Sequence, residues 1–170
     1  MLRRIHLPGG TVFFTVRLAV PGSWLLVEEI DLLRFAVGKT LGERPVEVLG
    51  WTVLPDQMHA VWRLPAGDSA YGLRWAAIKG RFSSGLSSAG AGPVRRRGVR
   101  ATRGEVGIWQ KRFWEHHIRG SDDLRLHLEL CRMAPVEAGL VSQHRDWPFS
   151  SFSRKGRGAS PAQQTVSDSR

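Results

Sequence analysis

The sequence predicts an α+β fold, an antiparallel sheet with helices packed on one face, and three observations predict it. Segments rich in β-branched and aromatic residues alternate with segments whose apolar residues recur at helical spacing, in the order strand, helix, strand, strand, helix, strand, helix. The second and third strands are separated only by Leu54-Pro55-Asp56-Gln57, which suits an antiparallel pair and is too short for a parallel crossover. A chain of 170 residues with 42% hydrophobic residues is long enough for one domain with its own core.

Thr11 to Leu18 follows a Pro-Gly-Gly turn and reads as the first strand. Pro21-Gly22-Ser23 breaks the chain. Leu26, Ile30, Leu33 and Val37 then recur at helical spacing, with Gly42 near the stop. Val46 to Val53 and Met58 to Leu64 are the second and third strands. Tyr71 to Leu86 is a second helix, on which Trp75, Ile78 and Phe82 give an apolar surface while Arg74, Lys79 and Arg81 are free either to meet phosphate or to face solvent. Residues 87–104 are rich in Gly, Ser and Arg without a periodic apolar face, so a mobile loop is expected there. Ile108 to Ile118 reads as extended. Asp122 to Met133 reads as a helix, with Ser121 as its N-cap and Pro135 as its end. Residues 154–170 read as a disordered basic tail, leaving 1–153 as one unit. The β-α-β-β-α-β order of the first six elements is the ferredoxin-like one.

Charge narrows the partner. Of the formal net +10, five units sit on Arg95, Arg96, Arg97, Arg100 and Arg103, and three on residues 154–170, leaving two for the rest. A polyanionic partner is expected, met mainly through the segments outside the core. No apolar run approaches the roughly 18–20 residues that span a bilayer. The N-terminal decapeptide lacks the apolar stretch of a secretory signal. The single cysteine, Cys131, excludes an intrachain disulfide and a four-cysteine zinc site, so a reducing, cytoplasmic setting is expected.

The run Leu54-Pro55-Asp56-Gln57-Met58-His59-Ala60-Val61-Trp62 carries the chemistry. Gln57 and His59 stand two apart in a strand, so their side chains share a face. Two imidazoles at that spacing would hold a divalent cation against a phosphate; here the first position is an amide. Three further runs accompany it in order: Thr11-Val12-Phe13-Phe14-Thr15-Val16, Ile108-Trp109-Gln110-Lys111-Arg112-Phe113-Trp114-Glu115-His116 and Asp146-Trp147-Pro148-Phe149-Ser150-Ser151-Phe152. Together, from about Thr11 to Phe152, they resemble the REP-associated tyrosine transposases, single-tyrosine members of the HUH nuclease and transposase superfamily.

The resemblance implies a ferredoxin-like domain that recognises a folded single-stranded DNA hairpin and cuts beside it. It implies a tyrosine nucleophile that forms a 5′-phosphotyrosine link, and magnesium or manganese held by a His-hydrophobic-His pair and by a polar group four residues after the tyrosine. Carried over, the two histidines fall on Gln57 and His59. The tyrosine falls on Leu130 and the polar group on Ala134, within Leu130-Cys131-Arg132-Met133-Ala134-Pro135-Val136-Glu137 where the family has Asn-Pro-Val-Lys at the end. The chain's one tyrosine is Tyr71, far from that position.

The expected function is therefore a transposase-like protein that binds single-stranded DNA hairpins of repetitive extragenic elements and is impaired in catalysis, with metal binding at Gln57 and His59 weak or absent. The alternative is a working metal-dependent single-strand transposase that uses non-standard residues; a third reading is a folded chain that binds nothing specifically. Expected DNA contacts are Arg95, Arg96, Arg97, Arg100, Arg103, Lys111, Arg112 and His116. His116 and His117 are expected on opposite faces of a strand. Cys131 is expected to behave as core rather than as a nucleophile. Most of Trp51, Trp62, Trp75, Trp109, Trp114 and Trp147 are expected to fill the core. No membrane partner is expected, and the sequence sets no oligomeric state.

Overall fold

A computed structural model describes residues 10–88 and 107–154. Arg95, Arg96, Arg97, Arg100 and Arg103, with the expected loop around them and the tail from Lys155 onward, lie outside the described residues. The elements are β1 (Thr11–Arg17), α1 (Leu25–Glu28), α2 (Ile30–Glu43), β2 (Glu47–Val53), β3 (Gln57–Arg63), α3 (Tyr71–Ser88), β4 (Trp114–His117) and α4 (Ser121–Glu137). The strands form one antiparallel sheet in the order β2-β3-β1-β4.

The two faces of the sheet are built differently because side chains alternate along each strand. Val12, Phe14 and Val16 of β1 and Met58, Ala60 and Trp62 of β3 point into the main core, beneath α2 and α3. There the Trp62 and Trp75 rings stack 4.4 Å apart, and Phe14 meets Trp62 and Trp75 edge-on. α2 and α3 approach closely at Gly85, where a Cβ would lie 2.3 Å from Leu32 Cδ1. The expected layer of helices on one face is this pair. α4 covers the opposite face, packing on Phe13, Val61, Leu49 and Phe152 through Cys131, Leu124 and Leu128. Gly50 of β2 lets it come near, since a Cβ there would stand 2.9 Å from Leu128 Cδ2.

Several boundaries differ from the sequence reading. The first expected helix is two, broken at Glu29, with α1 held to the β2–β3 connection by Leu26 N–H to Pro55 C=O. α3 runs to Ser88, so Ser87 and Ser88, expected in the loop, are helical. Ile108 to Phe113 is not strand. β1 ends at Arg17, and beyond it the chain makes a single bridge, Leu18 to Trp109, while Gln110 N–H bonds Arg17 C=O. Trp109 Nε1 donates to Lys79 C=O and the Phe113 ring packs beside Tyr71 and Trp75, contacts that hold this segment against α3. Ser121 is the first helical residue rather than the cap; Gly120, at φ 144°, takes the N-cap.

Pro135 does not end α4, which continues to Glu137. Proline has no N–H, so the carbonyl of Cys131 loses its usual helical donor. The Thr52 hydroxyl supplies the bond instead, 2.7 Å from Cys131 O. Thr52→Val would leave that buried carbonyl unpaired and is expected to cost about 1–3 kcal/mol, read as a lower urea midpoint at unchanged slope.

The Asp146-to-Phe152 run closes the free edge of β2. Trp147 Nε1 donates to Val53 C=O, Val53 N–H bonds Phe149 C=O, and Ser151 N–H bonds Trp51 C=O. Backbone pairing of this kind shields an edge that would otherwise template further strands.

Candidate functional site

The face of the sheet toward α4 carries a groove of about 550 Å³. Its floor is polar at alternate strand positions: Thr15 and Arg17 from β1, Gln57 and His59 from β3. Antiparallel register sets these side by side, Thr15 opposite His59 and Arg17 opposite Gln57. Both cross-strand pairs are bonded, Thr15 Oγ1 to His59 Nδ1 at 2.8 Å and Arg17 Nε–H to Gln57 Oε1 at 3.0 Å. α4 forms the other wall through Leu130, Ala134, Glu137 and Ala138, and Trp114 of β4 stands at one side.

The four positions singled out from the motif thus meet in one place. Leu130 and Ala134 are one helical turn apart and both face the groove, across from Gln57 and His59. Their chemistry is that of a floor with little to offer a cation. Leu130 and Ala134 have no donor atoms. The Gln57 carbonyl oxygen is already taken by a guanidinium. His59 is the one imidazole lining the groove, and burial together with the Arg17 charge pushes it down to about 4, so it is neutral at pH 7. One imidazole beside a fixed positive charge, with Glu137 on the far wall as the one carboxylate among the described lining residues, is a poor donor set for a divalent metal.

Other expected residues are placed elsewhere. Tyr71 is only 4% exposed and sits on the α2–α3 side, against Phe14 and Phe113, with the sheet between it and the groove. Cys131 is fully buried on the sheet-facing side of α4, where burial pushes its thiol up to about 12. Lys111 and Arg112 follow Gln110 at the Arg17 end of β1, exposed and near the groove without lining it. His116 does not line the groove but stands opposite Phe13, which does; its Nε2–H donates to the Asp123 carboxylate at 2.9 Å, and its ring stacks on His127 at 4.3 Å. His117 points to the other face, toward Tyr71.

Arg74, Lys79 and Arg81 are bonded within the protein rather than presented as a basic face. Arg74 is buried against Asp68, Arg81 grips Glu43 and Thr40, and Lys79 reaches Gln110 C=O. Among the tryptophans, Trp114 departs from the core expectation. It is 66% exposed, because its place on the edge strand turns it toward the groove rather than toward α3. Arg17 and Trp114 were not recognisable as site residues from the motif alone; the alternation of Thr15 and Arg17 among apolar neighbours was the available signal.

Among the described residues, one group has metal-ligand chemistry: His116, Asp123 and His127, whose ligand atoms lie within 4.8 Å of one another. His127 Nδ1–H donates to the Asp123 carbonyl at 2.8 Å, and Arg119 N–H donates to the Asp123 carboxylate. These hydrogen bonds, with the stacked His116 and His127 rings, tie β4 to the start of α4. A larger cleft, about 660 Å³, lies beyond the C-terminal half of α4 between Met133, Gln143, Arg145 and Arg154, and Gln57, His59, Leu130 and Ala134 do not line it. No helix among the described residues is long and apolar enough to cross a membrane.

No family model matches the chain. The chain is 41% identical over 152 residues to the REP-associated tyrosine transposase of Escherichia coli K12, covering 89% of this chain and 82% of that one. A Haemophilus influenzae relative described by the same family name is 37% identical over 155 residues, covering 89% and 85%. The fold matches a solved REP-associated tyrosine transposase bound to a REP hairpin, with a TM-score of 0.75, 40% identity and coverage of 89% and 82%. With its four-stranded antiparallel sheet and this degree of identity along nearly its whole length, the chain belongs to the REP-associated tyrosine transposases.

Proposed function

We propose that this protein binds single-stranded DNA hairpins of repetitive extragenic type and does not cut them. The observation that carries the reading is the wall of the groove. Where the family resemblance expects a tyrosine and a polar ligand, Leu130 and Ala134 face Gln57 and His59, and the chain's tyrosine lies across the sheet. A leucine side chain cannot attack a phosphate, and among the described residues the one hydroxyl lining the groove is that of Thr15, which is bonded to His59. Hairpin recognition rests on shape, backbone charge and stacking, which do not need the cutting residues. The solved relative at 40% identity was captured with a REP hairpin, which supports the same ligand class here.

The test uses hairpins from repeats flanking the gene, 3′-labelled and incubated with the full chain and manganese. The expected result is a shifted band on a native gel and intact DNA on a denaturing gel. A cut strand or a covalent protein–DNA band would instead establish an active transposase with non-standard residues. A shift that disappears as readily with salt as that of a scrambled oligonucleotide would mean non-specific binding only.

A further inference from the structure

We infer that Arg17, oriented by Gln57, is the anchor for one backbone phosphate of single-stranded DNA, standing where the family resemblance expects a divalent cation; the inference rests on the DNA-binding reading above. Four observations point to it. First, Arg17 Nε–H is fixed to Gln57 Oε1 across the β1–β3 register, and its terminal amino groups make no hydrogen bond among the described residues. Second, no carboxylate lies within ion-pair distance of Arg17 among the described residues, whereas Arg63, Arg74, Arg81 and Arg132 are each bonded to one.

Third, among the described residues Arg17 is the one cation lining the groove, since His59 is held neutral and the facing wall carries an acid, Glu137. An anion entering the groove is driven toward the Arg17 corner. Fourth, Trp114 and Leu130, both exposed, offer apolar surface in the same groove for the sugar or base attached to that phosphate. The identity of Gln57 matters to this arrangement. An amide orients the guanidinium without cancelling its charge, where a carboxylate would neutralise it and a protonated imidazole would repel it. The planar fork then presents two donors to a phosphate without any metal.

The experiment compares a hairpin carrying a four-nucleotide single-stranded flank with the same hairpin lacking it, by fluorescence anisotropy over a range of salt. For the wild-type chain, EDTA is expected to change neither affinity. Arg17→Ala is expected to weaken binding of the flanked hairpin about tenfold and to reduce its salt slope by about 0.7, one single-strand phosphate contact, while leaving the bare hairpin unchanged. Gln57→Glu should move the flanked affinity in the same direction. Equal weakening on both hairpins, or release of the flanked DNA by EDTA, overturns the inference. A wild-type chain that binds neither hairpin overturns the hairpin reading. Binding of a single-stranded decathymidylate then decides Arg17 by itself: loss of that binding in Arg17→Ala retains the phosphate anchor, and its absence or insensitivity removes it.

Discussion

Gln57→His, Leu130→Tyr and Ala134→Asn, combined in one chain, are expected to produce manganese-dependent strand cutting and a covalent protein–DNA adduct on the flanked hairpin. All three positions line one groove, so no backbone rearrangement is needed to bring them together. Leu130 is half exposed, which leaves space for a phenol ring, and Ala134 stands one turn further along the same face of α4. A gain of about a hundredfold or more over the parent's background is expected, the scale of one well-placed catalytic group. Each single substitution should stay at background, because nucleophile and ligands act as a unit. At protein concentrations that saturate the flanked hairpin, Arg17→Asn added to the three should raise the cutting rate further, since it removes the charge that disfavours a cation beside His59. The lost phosphate anchor raises the concentration needed to saturate. A restored chain that still shifts the hairpin yet forms no adduct would show that Leu130 is not the nucleophile position.

Much of this was legible because it is written in local pattern. Period-two alternation placed Phe14 and Val16 on one side of β1 and Thr15 on the other, and two-residue spacing put Gln57 and His59 on a common face. The helical spacing of Leu130 and Ala134 likewise predicted a shared face. What local pattern does not contain is register. Arg17 becomes a site residue only because antiparallel pairing sets it opposite Gln57, forty residues on. The same limit explains α4. Proline reads locally as a helix end, but Thr52, a tertiary neighbour, satisfies the Cys131 carbonyl and lets the helix continue past Pro135. Trp114 reads as core by composition, yet its place on the edge strand decides its exposure.

Arg74→Ala is expected to be the most destabilising single change in the helical layer, at about 3–5 kcal/mol in urea unfolding, enough to threaten folding of an average domain. Arg74 is 2% exposed, and its guanidinium bonds the Asp68 carboxylate through two nitrogens and the carbonyls of Arg44 and Pro45. It thereby ties α3 to the α2–β2 connection and to the turn before α3. Truncation removes the guanidinium from the Arg44 and Pro45 carbonyls and from Asp68, which keeps the Ala70 N–H on Oδ1. Arg81→Ala is the comparison: its pair with Glu43 lies near the surface, so a loss under about 1 kcal/mol is expected. The acid limb supplies a second readout. The hydrogen bonds from Arg74 and from Ala70 N–H hold the Asp68 carboxyl down to about 2 from 3.8. Between those values the folded chain binds fewer protons at Asp68 than the unfolded chain, so its contribution is complete above about pH 4 and is lost as pH falls toward 2. In Arg74→Ala the larger of those two causes is gone, and the stability difference between the proteins should narrow over the same window. A constant difference from pH 5 to pH 2 would mean that Arg74 acts through packing of its stem rather than through its charge. Either result concerns a cation that the sequence offered as a candidate phosphate contact. Arginine count on a helix therefore says little about DNA until each guanidinium's partner is known.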